Sequence, residues 1–193
     1  VSDISVAVAM PLVESVKMQT VMSLLQITSQ PKQTITVIFV KDSLLHEARR
    51  SAVLKAQSIG ATHLLFLDSD MVVPGDIVQK LVAHNKYIVG VNSHIKALPS
   101  KTTVKFMNEK GDYMEYDGEM PKELFKCYSV GTGVMLVNME IFKIIEKPWF
   151  FYQTDGDNFQ GEDIWFCKQA HEKGIDVWCD PTIEIGHVGD YVY

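Results

Sequence analysis

The sequence predicts a single α/β domain with a mainly parallel central sheet and helices on both faces. Two observations carry this. Four apolar or β-branched runs (VAVAMPL 6–12, TITVIFV 34–40, HLLFL 63–67 and YIVGVNS 87–93) alternate with three segments of helical character, an order that packs as a parallel sheet covered by its crossovers. The chain of 193 residues is also long enough for one compact domain with a sizeable core, and no repeat or low-complexity segment interrupts it.

In order along the chain, residues 6–12 read as a strand stopped by Pro11. Residues 14–29 carry Val16, Val21, Leu24 and Leu25 at helical spacing, and Pro31 ends that helix. TITVIFV follows as a second strand and leads to Lys41-Asp42-Ser43. Residues 44–58 place Leu45, Ala48, Ala52 and Ala56 on one helical face, closed by Gly60. HLLFL is a third strand, PGDIVQKLVAH a third helix and YIVGVNS a fourth strand. Residues 96–126 are polar with short alternating pieces and read as a hairpin or excursion over one sheet face. YSVGTGVMLVNMEIFKII resumes the core as a strand containing Gly131 and Gly133, then a helix. Residues 151–160 read as a loop. GEDIWFCKQAHEKG is a helix ending at Gly174, and DVWCD and IEIGHVG are two short strands, the second ending at His187. The change of character after residue 95 divides the chain into two halves, 1–95 and 96–193.

Composition narrows the function. A net charge of −6 gives no field for a polyanion, so a nucleic-acid partner would need a local basic patch. Cys127, Cys167 and Cys179 cannot all pair and form no C-x-x-C, which predicts free thiols in a reducing, cytoplasmic setting. No apolar run approaches the roughly 20 residues of a membrane-spanning helix, and the start VSDISVAVAMP lacks the basic region of a signal peptide.

The chemistry is concentrated where HLLFL ends in Asp68-Ser69-Asp70. A parallel strand delivers its C-terminal residues to the crevice where open α/β sheets bind ligands. Residues i and i+2 of extended backbone point the same way, and two such carboxylates repel unless a cation lies between them. One or two carboxylates plus phosphate oxygens is a usual shell for a hard divalent cation; Asp is equally at home capping the next turn. The EF-hand pattern fails, because Val72 and Val73 stand where it needs an acid or Asn and then Gly. Glu162-Asp163 opens a helix after the Asp155-Gly156-Asp157 loop, where acids suit the helix dipole and where a base would also be presented over a substrate. His187 sits beside Gly186 at a strand end.

Taken together, the FLDSDM segment, Gly131-Thr132-Gly133, the Gly-Glu-Asp helix start and the late His187 resemble a GT-A fold glycosyltransferase of the small, family-2-like type found in bacteria and phages. The order of motifs matches over essentially the whole chain. The resemblance implies a Rossmann-like domain that transfers a sugar, a hexose for preference, from a UDP- or GDP-sugar to an acceptor hydroxyl with Mn²⁺ or Mg²⁺ at the diphosphate. By position, Asp70, Asp68 and His187 would hold the metal. Pro11, Asp42, Arg49, Asp68 and Ser69 would line the nucleotide, and Gly131, Thr132 and Gly133 the sugar and acceptor side. Arg49-Arg50 stands where the family has Arg-Asn. Asp163 would be the general base of an inverting enzyme, with Glu162 binding sugar. The acceptor stays open: a glycan, a protein, a small molecule or modified phage DNA. The expected setting is bacterial or phage-infected host cytoplasm.

Other readings fit parts of the pattern. A retaining enzyme of the same fold would use Asp163 to position substrate. FLDSDMV also fits the first motif of a haloacid-dehalogenase-type phosphatase with Asp68 as nucleophile, although two strand–helix units precede it here. A nucleotidyltransferase would want a Gly-rich basic loop after the first strand, which AMPLVESVK lacks. A sugar-nucleotide or carbohydrate-binding module without catalysis is the non-enzymatic alternative. Trp149, with Phe150, Phe151 and Tyr152, offers a sugar-stacking platform or a core anchor. Lys96, Lys101 and Lys105 read as a solvated face, and His46, His63, His84, His94 and His171 as structural or surface residues.

Overall fold

The computed structural model describes residues 4–12, 15–31, 33–96, 101–110, 113–115, 118–155 and 158–189. The elements are β1 (Ser5–Leu12), α1 (Met18–Thr28), β2 (Thr34–Lys41), α2 (Leu45–Ser58), β3 (His63–Leu67), β4 (Met71–Val72), α3 (Ile77–Ala83), β5 (Ile88–Val91), β6 (Lys105–Met107), β7 (Tyr113–Glu115), β8 (Phe125–Cys127), β9 (Val134–Asn138), α4 (Ile141–Ile144), β10 (Gln153–Asp155), β11 (Asn158–Gln160), α5 (Glu162–Glu172), β12 (Val177–Asp180) and β13 (Gly186–His187).

Seven strands form one sheet in the order β2-β1-β3-β9-β5-β12-β8. β2, β1, β3, β5 and β12 run in one direction; β9 and β8 run against them. The period of two along the strands sorts side chains between two cores. Ala7, Ala9, Leu64 and Phe66 face α2, α4 and α5 with Ala48, Ala52, Phe142 and Phe166. Val6, Val8, Met10, Leu65 and Leu67 face α1 and α3 with Leu24, Ile27, Ile77 and Leu81. Ala7 and Ala9 against Ala48, Ala52 and Ala56 give α2 small residues on both sides of its seam with the sheet. The expected α/β domain with helices on both faces is therefore present.

Several local expectations need correction. β1 does not stop at Pro11 but continues to Leu12, with Pro11 opposite Val40. β3 pairs with β1 only through Ala9, so Pro11 has a sheet neighbour on one side and its missing N–H removes no ladder bond on the other. α1 buries Thr20, Ser23, Leu24 and Ile27, whereas Val21 and Leu25 face outward. Ser23 is inside because its hydroxyl accepts the Val73 N–H at 3.0 Å. Gly131-Thr132-Gly133 precedes β9 instead of lying in it. Residues 151–160 are not a plain loop, since β10 and β11 pair antiparallel. The 96–126 excursion holds the expected hairpin, β6 with β7, but also supplies β8 to the edge of the main sheet. Gly111 and Asp112 of that hairpin, and Gly156 and Asp157, lie outside the described residues. Gly60, at φ +69°, closes α2 as expected, in a backbone region open to glycine.

Candidate active site

β3 and β9 are antiparallel, with Leu67 opposite Val134. The end of β3 and the start of β9 therefore share one rim of the sheet. Asp68 donates its backbone N–H to the Gly133 carbonyl at 2.9 Å, joining the two segments. Gly133 leaves the Asp68 side chain uncrowded at this junction, since a Cβ there would lie 3.2 Å from Asp68 Oδ2 and press it aside by a few tenths of an ångström. α5 begins at the same rim, and β13 is brought to it by pairing with β4, His187 opposite Met71. The Val188 N–H bonds the Asp70 carbonyl at 2.8 Å and fixes that strand end to the turn.

The two aspartates do not point the same way. β3 ends at Leu67, and the Met71 N–H closes a turn onto the Asp68 carbonyl at 3.1 Å. The extended-backbone rule thus lapses one residue before the pair, and the carboxylates diverge into two clusters.

The inner cluster is built on Arg49, which is 1% exposed on α2. Its Nη2 donates to Asp68 Oδ1 at 2.6 Å, and its Nε lies 3.8 Å from Glu162 Oε1. The guanidinium also rests on the Phe66 ring, 5.3 Å from its centroid. Thr132 Oγ1 donates to Glu162 Oε1 at 3.2 Å. Burial and the adjacent Glu162 carboxylate push the Tyr152 phenol up to about 12. Nε and Nη1 of Arg49 are buried without a hydrogen-bond partner in the protein, an arrangement that is costly unless a ligand takes it up. Arg49, not Arg50, faces the cleft; Arg50 pairs with Glu47 on the surface at 3.1 Å. Asp163 sits beside this cluster, its Oδ1 accepting the Ile164 N–H at 2.8 Å. Burial and the neighbouring Glu162 push its carboxyl up to about 6. Gly161 leaves room for it, since a Cβ there would stand 2.7 Å from Asp163 Oδ1.

The outer cluster is half-exposed. The Lys96 ammonium binds Asp70 Oδ2, and His187 Nε2 lies 3.4 Å from Asp70 Oδ1. His187 donates from Nδ1 to the His94 carbonyl at 2.7 Å. In the neutral ring that bond leaves the Nε2 lone pair facing Asp70, the tautomer a metal-binding histidine uses. Among the described residues no group of three or more His, Cys, Asp or Glu side chains could hold a metal. Asp70 and His187 supply two hard-to-borderline donors, a set that suits a divalent cation completed by phosphate oxygens.

A cleft of about 250 Å³ connects the clusters, lined among others by Arg49, Asp68, Gly131, Glu162, Asp163 and His187. Thr132 and Gly133 also line it, whereas Pro11, Asp42, Ser69 and Asp70 do not. Asp42 caps its own turn by accepting the Leu44 N–H at 3.3 Å, and the Ser69 carbonyl accepts the Lys17 N–H at 2.9 Å. Trp149 is buried against Phe142 and is no platform; Phe151 and Phe159 are the exposed rings, with Phe159 stacked on Tyr152. Lys101 and Lys105 pair with Glu115 on the surface, as a solvated face does. Sequence reasoning missed the roles of Tyr152 and Lys96. Tyr152 carried one usable signal, a hydroxyl at the end of an otherwise apolar aromatic run; Lys96 carried none. A second cleft of about 630 Å³, at the opposite ends of the strands, gathers Glu140 and Lys143, which pair with each other at 2.7 Å. The cysteines are free and buried, and burial pushes each thiol up.

Neither a protein-family model nor a curated protein sequence matches the chain. Solved structures do. The crystal structure of A197 from STIV is similar at 16% identity and a TM-score of 0.67, over 97% of this chain and 87% of that one. That of S. aureus TarS 1–349 is similar at 14% identity and a TM-score of 0.53, over 92% of this chain and 60% of that one. Likeness at these identities speaks for fold, and the fold is the Rossmann-like GT-A type. No described helix is long and apolar enough to cross a membrane.

Proposed function

We propose that this protein is a divalent-cation-dependent glycosyltransferase that moves a hexosyl group from a UDP- or GDP-sugar to an acceptor hydroxyl, with inversion. One observation carries the reading: His187, which lies 3.4 Å from Asp70, lines one cleft at the rim of the sheet together with Arg49 and the Glu162–Asp163 helix start. A bound Mn²⁺ or Mg²⁺ would take up the charge that develops on the leaving diphosphate. Asp70 and His187 would hold that ion, with Asp68 oriented by Arg49 to receive a ribose hydroxyl or a metal-bound water. The spare Nε and Nη1 donors of Arg49 suit donor oxygens. Pro11, Asp42 and Ser69 would border the nucleoside, and the backbone of Gly131, Thr132 and Gly133 the transferred sugar.

Asp163 would take the proton of the acceptor hydroxyl as it attacks. A carboxyl raised to about 6 is a better base than an ordinary aspartate while still ionised at neutral pH. Glu162 is already engaged by Arg49, Thr132 and Tyr152, so its part is to orient substrate. The deciding experiment is calorimetric titration of UDP and of GDP, with and without Mn²⁺, into the protein and into Asp70→Ala. Binding that requires both the metal and Asp70 is expected. Metal-independent binding, unchanged in Asp70→Ala, would refute the site.

A further inference from the structure

Lys96 lies on the segment leaving β5, and its ammonium rests on Asp70 Oδ2, one of the two protein groups offered to the cation. The other Asp70 oxygen faces His187 Nε2 at 3.4 Å. Both faces of the carboxylate are thus occupied, one by a positive charge. Lys101 and Lys105 of the same insert are instead held by Glu115. The pair is open to water, Lys96 being 36% and Asp70 25% exposed, so it can separate without opening the core.

We propose that Lys96 is a built-in competitor of the metal: its ammonium holds Asp70 in the cation-free protein and must leave before a divalent cation can bind. This rests on the glycosyltransferase reading of the site. A divalent ion approaching Asp70 meets a like charge and an occupied oxygen, so the metal alone binds weakly. A cation arriving with a nucleoside diphosphate brings negative charge that the displaced ammonium can face. Metal and diphosphate therefore bind cooperatively, with Lys96 as the coupling element.

The test titrates Mn²⁺ alone, and Mn²⁺ in the presence of UDP or GDP, into the wild type, Lys96→Met, Lys96→Arg, Asp70→Ala and the double variant Lys96→Met/Asp70→Ala. Thermal melting checks that each is folded. Removing the competing charge should tighten Mn²⁺ alone by about tenfold. Lys96→Arg should stay close to the wild type, Asp70→Ala should lose the site in either background, and the gain in Mn²⁺ affinity on adding nucleotide should shrink in Lys96→Met. If Lys96→Met binds Mn²⁺ as the wild type does, or more weakly, while Asp70→Ala still abolishes binding, the competitor role is wrong and the metal site stands. If no variant binds Mn²⁺ with or without nucleotide, both fall.

Discussion

Asp68 and Asp70 are one residue apart, yet they belong to two kinds of environment. The inner cluster is anchored by Arg49 and Glu162, both buried, with Arg49 touching Phe66, while Asp68 and Tyr152 reach it from partly exposed positions. The outer cluster sets Asp70, Lys96 and His187 at the cleft mouth, in contact with water. The contrast teaches that a motif's two acids need not share a task. A buried charge is retained only with its partners in place, so the inner cluster is tied to the integrity of the fold. A half-exposed pair is worth little to stability and is free to exchange partners.

Four substitutions probe this division. The largest effect is expected at Arg49→Met, which strands Glu162 and Asp68; urea unfolding should show a loss of about 3–5 kcal/mol. A loss under about 1 kcal/mol there would erase the distinction between the clusters.

Asp163→Asn should have the opposite sign on stability. The folded protein holds the Asp163 proton more tightly than the unfolded chain, whose carboxyl keeps the ordinary value of 3.8. The stability this provides is complete below pH 3.8 and is lost as pH rises through about 6. At pH 8 Asp163→Asn should therefore be more stable than the wild type by about 1–3 kcal/mol, with the two converging at low pH. Its turnover should fall by about 10²–10⁴-fold, and the wild-type rate should rise with pH through about 6. Equal stability of the two proteins from pH 4 to 8 would remove the case for a raised carboxyl.

Tyr152→Phe removes the hydroxyl that interacts with the Glu162 carboxylate and should cost about 1 kcal/mol or less in the same unfolding assay. Asp70→Asn is expected to change stability least, by under about 1 kcal/mol, while abolishing metal-dependent nucleotide binding. An Asp70→Asn protein as unstable as Arg49→Met would show that the outer cluster is structural after all.

The sheet was largely legible in the residues. HLLFL and VAVAM are buried on both faces and read as unbroken apolar runs, and the Ala48, Ala52, Ala56 spacing marked the buried side of α2. What failed was short or set by distant contacts. β4, β8, β10 and β11 have two or three residues each, too few for a period to show. In α1 Leu24 is buried, but Val21 and Leu25 face outward and Ser23 is drawn inward by Val73, a partner far along the chain. The candidate site was legible as a set of residues at one rim, but not in its internal pairing. Nothing local says that the backbone turns after Leu67 or that Lys96 reaches back to Asp70.

The pairing of β13 with β4 has a consequence for how the molecule assembles. His187 meets the His94 carbonyl across 93 residues, and the strands that hold it there are two residues long. Closing so long a loop for so few contacts is entropically poor, so this junction is expected to form after the main sheet has condensed. A chain with its sheet complete but this junction open would carry Asp70 without its imidazole. On the cation site proposed for Asp70 and His187, a bound ion would by mass action favour the finished molecule over its near-finished forms.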